Sequence, residues 1–177
     1  VLLEGKGGEE VGKLICDVCR VILEKAGLNP GDEISVGVCV PGISYSKSGK
    51  VWCPNIPGWE EYPLRKELLL NFPNSKITIE SDRTAYILGE VSLGAAKGCD
   101  NAIFIAAGTG IGAGILIDGR VLHGASDIVG ATGWMALKPP YNKEGDGCGC
   151  FESHASGTGI AMQAGKVYPG RITSHDV

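Results

Sequence analysis

The sequence predicts an α/β protein with two lobes, residues 1–97 and residues 98–177. In the first part of the chain, segments with helical spacing of apolar residues alternate with short β-branched runs. After Gly98, short apolar runs are separated by glycine-rich turns, which predicts an antiparallel meander. With 177 residues, the chain is long enough to bury a core without disulfides or metal.

Three segments of the first lobe predict helices: residues 8–26, residues 62–72, and residues 82 to about 97. In the first, apolar side chains recur at helical spacing, and Gly27 gives a stop signal. In the second, Pro63 falls near the first turn, where the missing N–H of proline costs nothing.

Two short runs of the first lobe predict strands, residues 33–40 and residues 76–80, because both are rich in β-branched side chains. A loop with a polar tip separates the first strand from VWCPNIPGW, residues 51–59. Two prolines and a glycine within that segment argue against regular structure.

The second lobe opens with residues 101–124, which predict a strand, a glycine turn, a second strand, a hairpin turn at Asp118-Gly119 and a short third strand. A glycine-rich stretch follows. The pattern ends with a helix at about residues 153–165.

Composition and charge argue against nucleic-acid-binding, membrane and secreted proteins. Net charge is −4 and the basic residues are scattered, which argues against nucleic acid or an anionic membrane as partner. No apolar run approaches the roughly 20 residues of a membrane span, and the first ten residues do not resemble a signal peptide. The expected location is therefore the cytoplasm, with the seven cysteines mostly reduced. Cys16 and Cys19 form a C-x-x-C pair that is expected to pack in a helix rather than bind metal.

The 28 glycines concentrate in the second half of the chain. Residues 108–112, GTGIG, lie in a turn between two predicted strands, where backbone N–H groups and the Thr109 hydroxyl would suit phosphate oxygens. The alternative is a tight hairpin that requires glycine. The pattern is neither a Walker A motif nor a dinucleotide fingerprint, because no lysine and no helix follow it.

Asp82 stands at the carboxyl end of a predicted strand and the start of a helix. Ligands collect at the carboxyl ends of strands in α/β sheets, and a carboxylate there can accept a proton from a bound hydroxyl. The alternative is a helix N-cap, which Ser81 or Asp82 could provide.

Four segments together resemble the ROK family of sugar kinases and sugar-responsive regulators. They cover nearly the whole chain in the family's order: VCVPGISYSKSGKVWCPNIPGW, IESDRTAYILGE, IFIAAGTGIGAGILIDGRVLHGASDIVGATGW and GCFESHASGTGIA.

The resemblance implies an actin-like (ribonuclease H-like) ATPase fold in which a hexose receives the γ-phosphoryl group of ATP with Mg²⁺. Asp82 matches the general base, Ser81 stands where a sugar-binding asparagine is usual, and Glu152 matches a sugar contact. The implied substrate-binding residues are Gly49, Asn55, Ser81, Asp82 and Glu152. The implied phosphate-binding residues are Gly108, Thr109, Gly110 and Gly112.

Departures from the family pattern also carry expectations. No Asp-x-Gly-Gly-Thr motif precedes Val1, and the chain stops at Val177 before expected adenosine contacts. The fold is therefore expected to be incomplete, and the chain alone to lack kinase activity. Ala131 and Trp134 replace a glutamate and a histidine; Trp134 is expected in the core, with sugar stacking as the alternative.

The family's zinc motif is degraded in this sequence. Cys148, Cys150 and His154 are the remaining candidates, joined by His123, but a structural zinc ion needs four closed ligands. Zinc is therefore not expected.

Three functions stay open at this point. The first is part of an ATP-dependent hexose kinase, and the second a sugar-binding regulator or pseudoenzyme of the same family. The third is an interaction module. The expected partners are a hexose and ATP, with no nucleic acid and no membrane, and a homodimer is plausible from the resemblance.

Overall fold

The structure is a computed structural model that describes residue 3, residues 5–137, residue 143, residues 147–168, residue 170 and residues 173–175. It divides into two compact units, Val1–Asp82 and Arg83–Val177. The predicted lobe boundary at residues 97 and 98 is a different division and stays a prediction.

The described α-helices and β-strands are α1 (Gly8–Lys25), β1 (Ser35–Val40), β2 (Ile43–Ser44), β3 (Val51–Trp52), α2 (Leu64–Asn71), β4 (Lys76–Ser81), α3 (Asp82–Leu93), β5 (Ala102–Ala107), β6 (Ile111–Ile117), β7 (Arg120–Val121), α4 (Cys150–Ala155) and α5 (Gly157–Gly165). A 3₁₀ turn covers Thr132–Trp134. None of the helices in the described part of the chain is both long enough and apolar enough to span a bilayer.

The first unit is built on the parallel pair of β1 and β4, which runs in register from Ser35 opposite Lys76 to Val40 opposite Ser81. Helices α1 and α2 pack in this unit, and their apolar faces join the strands in one core. The most deeply buried side chains of this core are Cys16, Val40, Val51, Cys53, Trp59, Leu64, Leu68 and Phe72.

The prediction that residues 51–59 lack regular structure is wrong at their start. Val51 and Trp52 form β3, which pairs antiparallel with β2. Val51 and Tyr62 also exchange two backbone hydrogen bonds, of 2.9 and 3.0 Å. The burial of Val51 and these bonds hold the strand, and the prolines fall after it.

The second unit contains an antiparallel sheet in the order β5-β6-β7. The Tyr86 ring of α3 stacks on Phe104 of β5, with centroids 5.2 Å apart. Gly114 of β6 leaves room for α3, since a Cβ there would lie 2.2 Å from the Arg83 carbonyl oxygen. The predicted meander is confirmed, and both residues of its Asp118-Gly119 turn have positive φ.

Two predicted helix boundaries are wrong. Helix α3 ends at Leu93 rather than near residue 97, and the Glu90 carboxylate accepts the Ala95 N–H at 2.8 Å beyond its end. The final helix is two helices, because Ser156 adopts an extended backbone with ψ of 165° between α4 and α5.

Candidate functional site

The strand ends of the first unit carry Ser81 and Asp82. Because β1 and β4 are parallel, their carboxyl ends lie at the same edge, and Ser81 pairs with Val40 there. Ser81 is buried and ends β4, while Asp82 is half-buried and begins α3. Asp82 therefore occupies the strand-to-helix junction that its position in the sequence predicts.

The Asp82 carboxylate affects the pKa values of two thiols. Burial, and after it the negative charge of Asp82, raise the pKa of Cys53 to about 12. Burial, Asp82 and Glu80 likewise raise the pKa of Cys39. The charge of Asp82 thus acts on one thiol in β1 and on one in the segment after β3.

Asn55 lies on the outside of a closed loop, residues 53–59. The loop is fixed by backbone bonds from Cys53 N–H to Trp59 O, Ile56 N–H to Cys53 O and Trp59 N–H to Ile56 O, at 2.8 to 3.1 Å. Cys53, Ile56 and Trp59 point into the core, whereas Asn55 is exposed. Its side chain is therefore available to a ligand.

The 53–59 loop is also anchored to the start of α1. The Trp59 indole N–H donates to the Gly8 carbonyl at 3.0 Å, and the Gly8 N–H donates to the Pro57 carbonyl at 2.7 Å. The Trp59 ring stacks on Tyr62 with centroids 4.7 Å apart. These contacts hold the backbone that carries Asn55.

Gly49 has a structural part in the preceding turn. Its φ is +68°, and a Cβ would lie 2.7 Å from Cβ of Arg65. Its N–H donates to the Tyr45 carbonyl and its carbonyl accepts from the Arg65 N–H. The turn and the close approach both favour glycine here; its role in sugar binding stays a prediction.

Gly108, Thr109 and Gly110 form the turn between β5 and β6, called here the 108–110 turn. The Gly108 carbonyl accepts the Gly157 N–H at 2.8 Å, and the Thr109 carbonyl accepts the Thr158 hydroxyl at 2.7 Å. Both donors belong to the first two residues of α5, so the Gly108 and Thr109 carbonyls point towards the start of that helix, while the Gly110 carbonyl accepts the Gly108 N–H at 2.9 Å.

The amides of the turn consequently point the other way. In a trans peptide the C=O and the N–H lie on opposite sides, so fixing the Gly108 and Thr109 carbonyls also fixes the N–H groups of Thr109 and Gly110. Gly108 and Thr109 are exposed. Two consecutive N–H groups facing away from α5 form an arrangement suited to anions. Gly112, the last glycine of the predicted motif, lies within β6 opposite Ala106.

Glu152 approaches the same turn from α4. One carboxylate oxygen, Oε2, accepts the Ile111 N–H at 2.7 Å. A Cβ at Gly110 would lie 2.6 Å from that oxygen, and one at Gly133 would lie 2.8 Å from it. Glu152 therefore has a positioning role at the turn, whereas its predicted contact with sugar is untested.

Trp134 is not a core residue in the described structure. The residue is 54% exposed, so the expectation of core packing is wrong. The backbone at this position packs closely on Gly149, where a Cβ would lie 2.7 Å from the Trp134 Cα. Close packing of the backbone leaves the indole at the surface.

The zinc candidates show other contacts. His154 Nδ1 lies 2.8 Å from the Cys150 carbonyl, and the Cys148 thiol lies 3.9 Å from the Gly149 carbonyl. Among the described residues, no cluster of three or more His, Cys, Asp or Glu side chains is arranged for a metal ion. The expectation that zinc is absent stays a prediction.

The order of these features along the chain agrees with a single family model. The model described as the ROK family matches residues 9–176. The chain belongs to the ROK family. The sequence-based assignment to that family is confirmed.

Relatives of this ROK chain include an enzyme and a repressor. A glucokinase of Halalkalibacterium halodurans is 31% identical over 163 residues, which cover 89% of this chain and 48% of the relative. A xylose repressor of Bacillus subtilis is 30% identical over 157 residues, covering 87% of this chain and 40% of the relative. The chain thus spans about half the length of the curated relatives it matches.

Solved structures agree with the fold. A ROK hexokinase from Thermus thermophilus matches with a TM-score of 0.81 and 28% identity, over 99% of this chain and 58% of that chain. A ROK glucokinase from Streptomyces griseus, in complex with glucose and AMPPNP, matches with a TM-score of 0.70 and 29% identity, over 92% and 52%. This ROK chain has the actin-like ATPase fold of these kinases over the part it covers.

Sequence reasoning missed the residues that hold the turn of this ROK chain. The helical pattern over residues 153–165 covers Ser156 and Thr158 without distinguishing them. The available signal is Ser156 itself, since serine is strongly preferred at helix N-caps.

Proposed function

We propose that this chain supplies two parts of an ATP-dependent hexose kinase: the general base that accepts the sugar hydroxyl proton, and a phosphate-binding turn. The observation that carries the proposal is the orientation of the 108–110 turn: α5 holds its Gly108 and Thr109 carbonyls, so the Thr109 and Gly110 amides point away from that helix. Similarity to a glucokinase and to a kinase crystallised with glucose and AMPPNP supports it. The activity belongs to the longer protein, because the chain spans about half of its relatives.

Asp82 is the proposed general base. The sugar hydroxyl oxygen attacks the γ-phosphorus of ATP, the hydroxyl proton passes to the Asp82 carboxylate, and ADP leaves with the electron pair of the broken P–O bond. By the family resemblance, Ser81 and Asn55 of the first unit and, separately, Glu152 of the second unit are the proposed contacts to other sugar hydroxyls, and Gly49 is proposed to shape the turn before β3. Positioning of this kind supplies much of the rate enhancement in phosphoryl transfer.

The residues of the 108–110 turn fit a phosphate. Gly108 and Gly110 place no side chain over the amides, and Thr109 adds a hydroxyl on an exposed turn. When bound, ATP supplies the transferred phosphoryl group, and Mg²⁺ neutralises its charge. Mg²⁺ commonly takes one or two carboxylates together with phosphate oxygens and water, so it is proposed to arrive with the nucleotide.

The test is the Asp82→Asn substitution in the intact protein. Turnover should fall about 1000-fold, because a general base contributes roughly 100- to 10000-fold, while the hexose dissociation constant changes less than about twofold. Asp17→Asn, which removes an exposed carboxylate paired with Arg20, is the matched control and should change neither. Equal loss of turnover and sugar affinity would contradict the assignment of Asp82 as base.

A sugar-binding regulator is the second candidate. The xylose repressor matches at nearly the same identity as the glucokinase, and Ala131 and Trp134 depart from the kinase pattern. An intact protein that binds a hexose and releases DNA in response, with no transfer of phosphate from ATP, would favour this function. Binding of neither hexose nor Mg-ATP would favour an interaction module.

A further inference from the structure

A chain of hydrogen bonds runs from the start of α5 to the 108–110 turn. The Gly159 N–H donates to the Ser156 hydroxyl at 3.0 Å. The Ser156 and Thr158 hydroxyl oxygens lie 3.0 Å apart, and the Thr158 hydroxyl donates to the Thr109 carbonyl at 2.7 Å. Four residues are thus joined by three consecutive bonds.

Proton counting fixes the direction of this chain. A hydroxyl has one proton to donate, and a carbonyl oxygen only accepts. Thr158 uses its proton on Thr109, so the bond between the two hydroxyls must be donated by Ser156. Ser156 in turn accepts from a backbone N–H. Every donor therefore points from the helix towards the turn.

We propose that Thr158 and Ser156 are positioning residues that set the donor strength and the direction of the Gly110 N–H. This N–H belongs to the same peptide unit as the Thr109 carbonyl that ends the chain. Hydrogen bonds in series polarise one another, and a polarised carbonyl makes the N–H of its own peptide a better donor.

The burial of Ser156 supports an indirect role. Ser156 has 0% exposure, so its hydroxyl acts only through its neighbours, whereas Thr158 is exposed beside the turn. Loss of the Thr158 hydroxyl should free the Thr109–Gly110 peptide to rotate, and loss of the Ser156 hydroxyl should weaken the bond that holds this peptide. A residue with no ligand contact would then influence a ligand at the turn.

The hydrogen-bond part of this inference is independent of the proposed function; only its nucleotide part rests on it. The two parts are separated by using one readout without ligand and one with ligand. The variants are Thr158→Val, which keeps the shape and removes the donor, Thr158→Ser, which restores it, and Ser156→Ala. Thr78→Val, at an exposed position in β4, is the matched control.

The first readout is the carbonyl carbon chemical shift of Thr109 in the isotope-labelled intact protein, without ligand. It should move upfield in Thr158→Val, since a carbonyl loses its hydrogen bond, and return in Thr158→Ser. Ser156→Ala should move it in the same direction by less. An unchanged shift in Thr158→Val would overturn the proposal. If Ser156→Ala does not fold, the Thr158 pair still decides the result.

The second readout is calorimetric titration of the intact protein with Mg-AMPPNP and, separately, with glucose. Thr158→Val should weaken nucleotide binding roughly fivefold, which corresponds to one neutral hydrogen bond, and should leave glucose binding unchanged. Thr158→Ser should restore the nucleotide affinity. Equal nucleotide affinity in wild type and Thr158→Val would overturn the positioning role of Thr158. If Thr158→Val moves the Thr109 carbonyl signal as expected but the wild-type protein binds no nucleotide, the proposed phosphate function fails while the hydrogen-bond chain is supported.

Discussion

The Glu152 carboxylate accepts the backbone N–H of Ile111 at 2.7 Å, and this bond joins α4 to the start of β6. Glycines at positions 110 and 133 leave the space that the carboxylate occupies. A residue that the family resemblance assigns to sugar therefore also holds the backbone next to the proposed phosphate site. The two roles are separable by substitution.

Glu152→Ala should lower the free energy of unfolding by about 1–3 kcal/mol, because the buried Ile111 N–H is left without its acceptor. Glu152→Gln keeps an oxygen acceptor and should lose less than half as much. Denaturant titration of the two variants measures the difference. If Glu152→Gln nevertheless weakens hexose binding, its charge serves the sugar; unchanged stability of Glu152→Ala would contradict the positioning role.

The charge of Asp82 should be detectable through Cys39. Asp82→Asn removes a negative charge that raises the pKa of the Cys39 thiol, so more thiolate forms at pH 8. Alkylation of Cys39 by iodoacetamide should accelerate about twofold. Peptide mass spectrometry follows the rate, with exposed Cys99 as internal control. Equal Cys39 rates in both proteins would contradict the placement of Asp82 near β1.

Two helical glycines should respond to alanine with opposite signs. In Gly12→Ala the new Cβ would lie 2.1 Å from Oε2 of Glu67 and 2.2 Å from the Tyr62 hydroxyl oxygen. These two groups are hydrogen-bonded to each other, so both must move, and stability should fall by about 1–3 kcal/mol. Thermal unfolding would measure the change.

Gly89→Ala is the counterpart in α3. It meets no atom within 4 Å and should gain about 0.5–1 kcal/mol from helix propensity alone. A stabilised Gly12→Ala protein would mean that the contact between α1 and the Tyr62-Glu67 pair is looser than the structure describes.

Alkaline pH should destabilise the first unit through its buried thiols. Burial is the main cause that raises the pKa of Cys53 from 9.0 to about 12 and that of Cys16 to about 11. A raised pKa means that the unfolded chain loses these protons first, so stability is complete below about pH 9 and falls as the pH rises towards the folded values.

The expected slope is about 1.4 kcal/mol per pH unit for each thiol in that window. Cys53→Ala should lose stability at neutral pH by cavity formation, yet show a shallower alkaline slope. Denaturant titrations from pH 8 upwards give the slope directly. A slope identical to that of wild type would show that Cys53 ionises as readily in the folded protein as in the unfolded one.

Local patterns were sufficient to predict most helices and strands. The β-branched runs of β1 and β4 and the Asp118-Gly119 turn depend on residues next to one another in sequence. The end of α3 was not predictable in this way, because the Glu90 side chain bonds the backbone beyond the helix. The pairing of Val51 with Tyr62 likewise depends on a tertiary contact.

The places of the candidate residues in the fold were predictable from the sequence, whereas their contacts were not. Asp82 and the 108–110 turn lie at the junctions that the sequence indicates, since both follow from strand ends. The bond from Thr158 to Thr109 joins residues 49 positions apart, and no local pattern announces it. Trp134 was misjudged because size and apolar character do not specify which side of a 3₁₀ turn is buried.

The interruption at Ser156 has a geometric consequence for the turn. In one continuous helix, positions 152 and 158 would be about 9 Å apart along the axis and would face directions about 120° apart. Only one of these two side chains could then form a hydrogen bond with the backbone of the turn. Since the helix is broken between them, Glu152 reaches the Ile111 side and Thr158 the Thr109 side. One extended residue thus allows two successive helices to contact the two ends of the same turn.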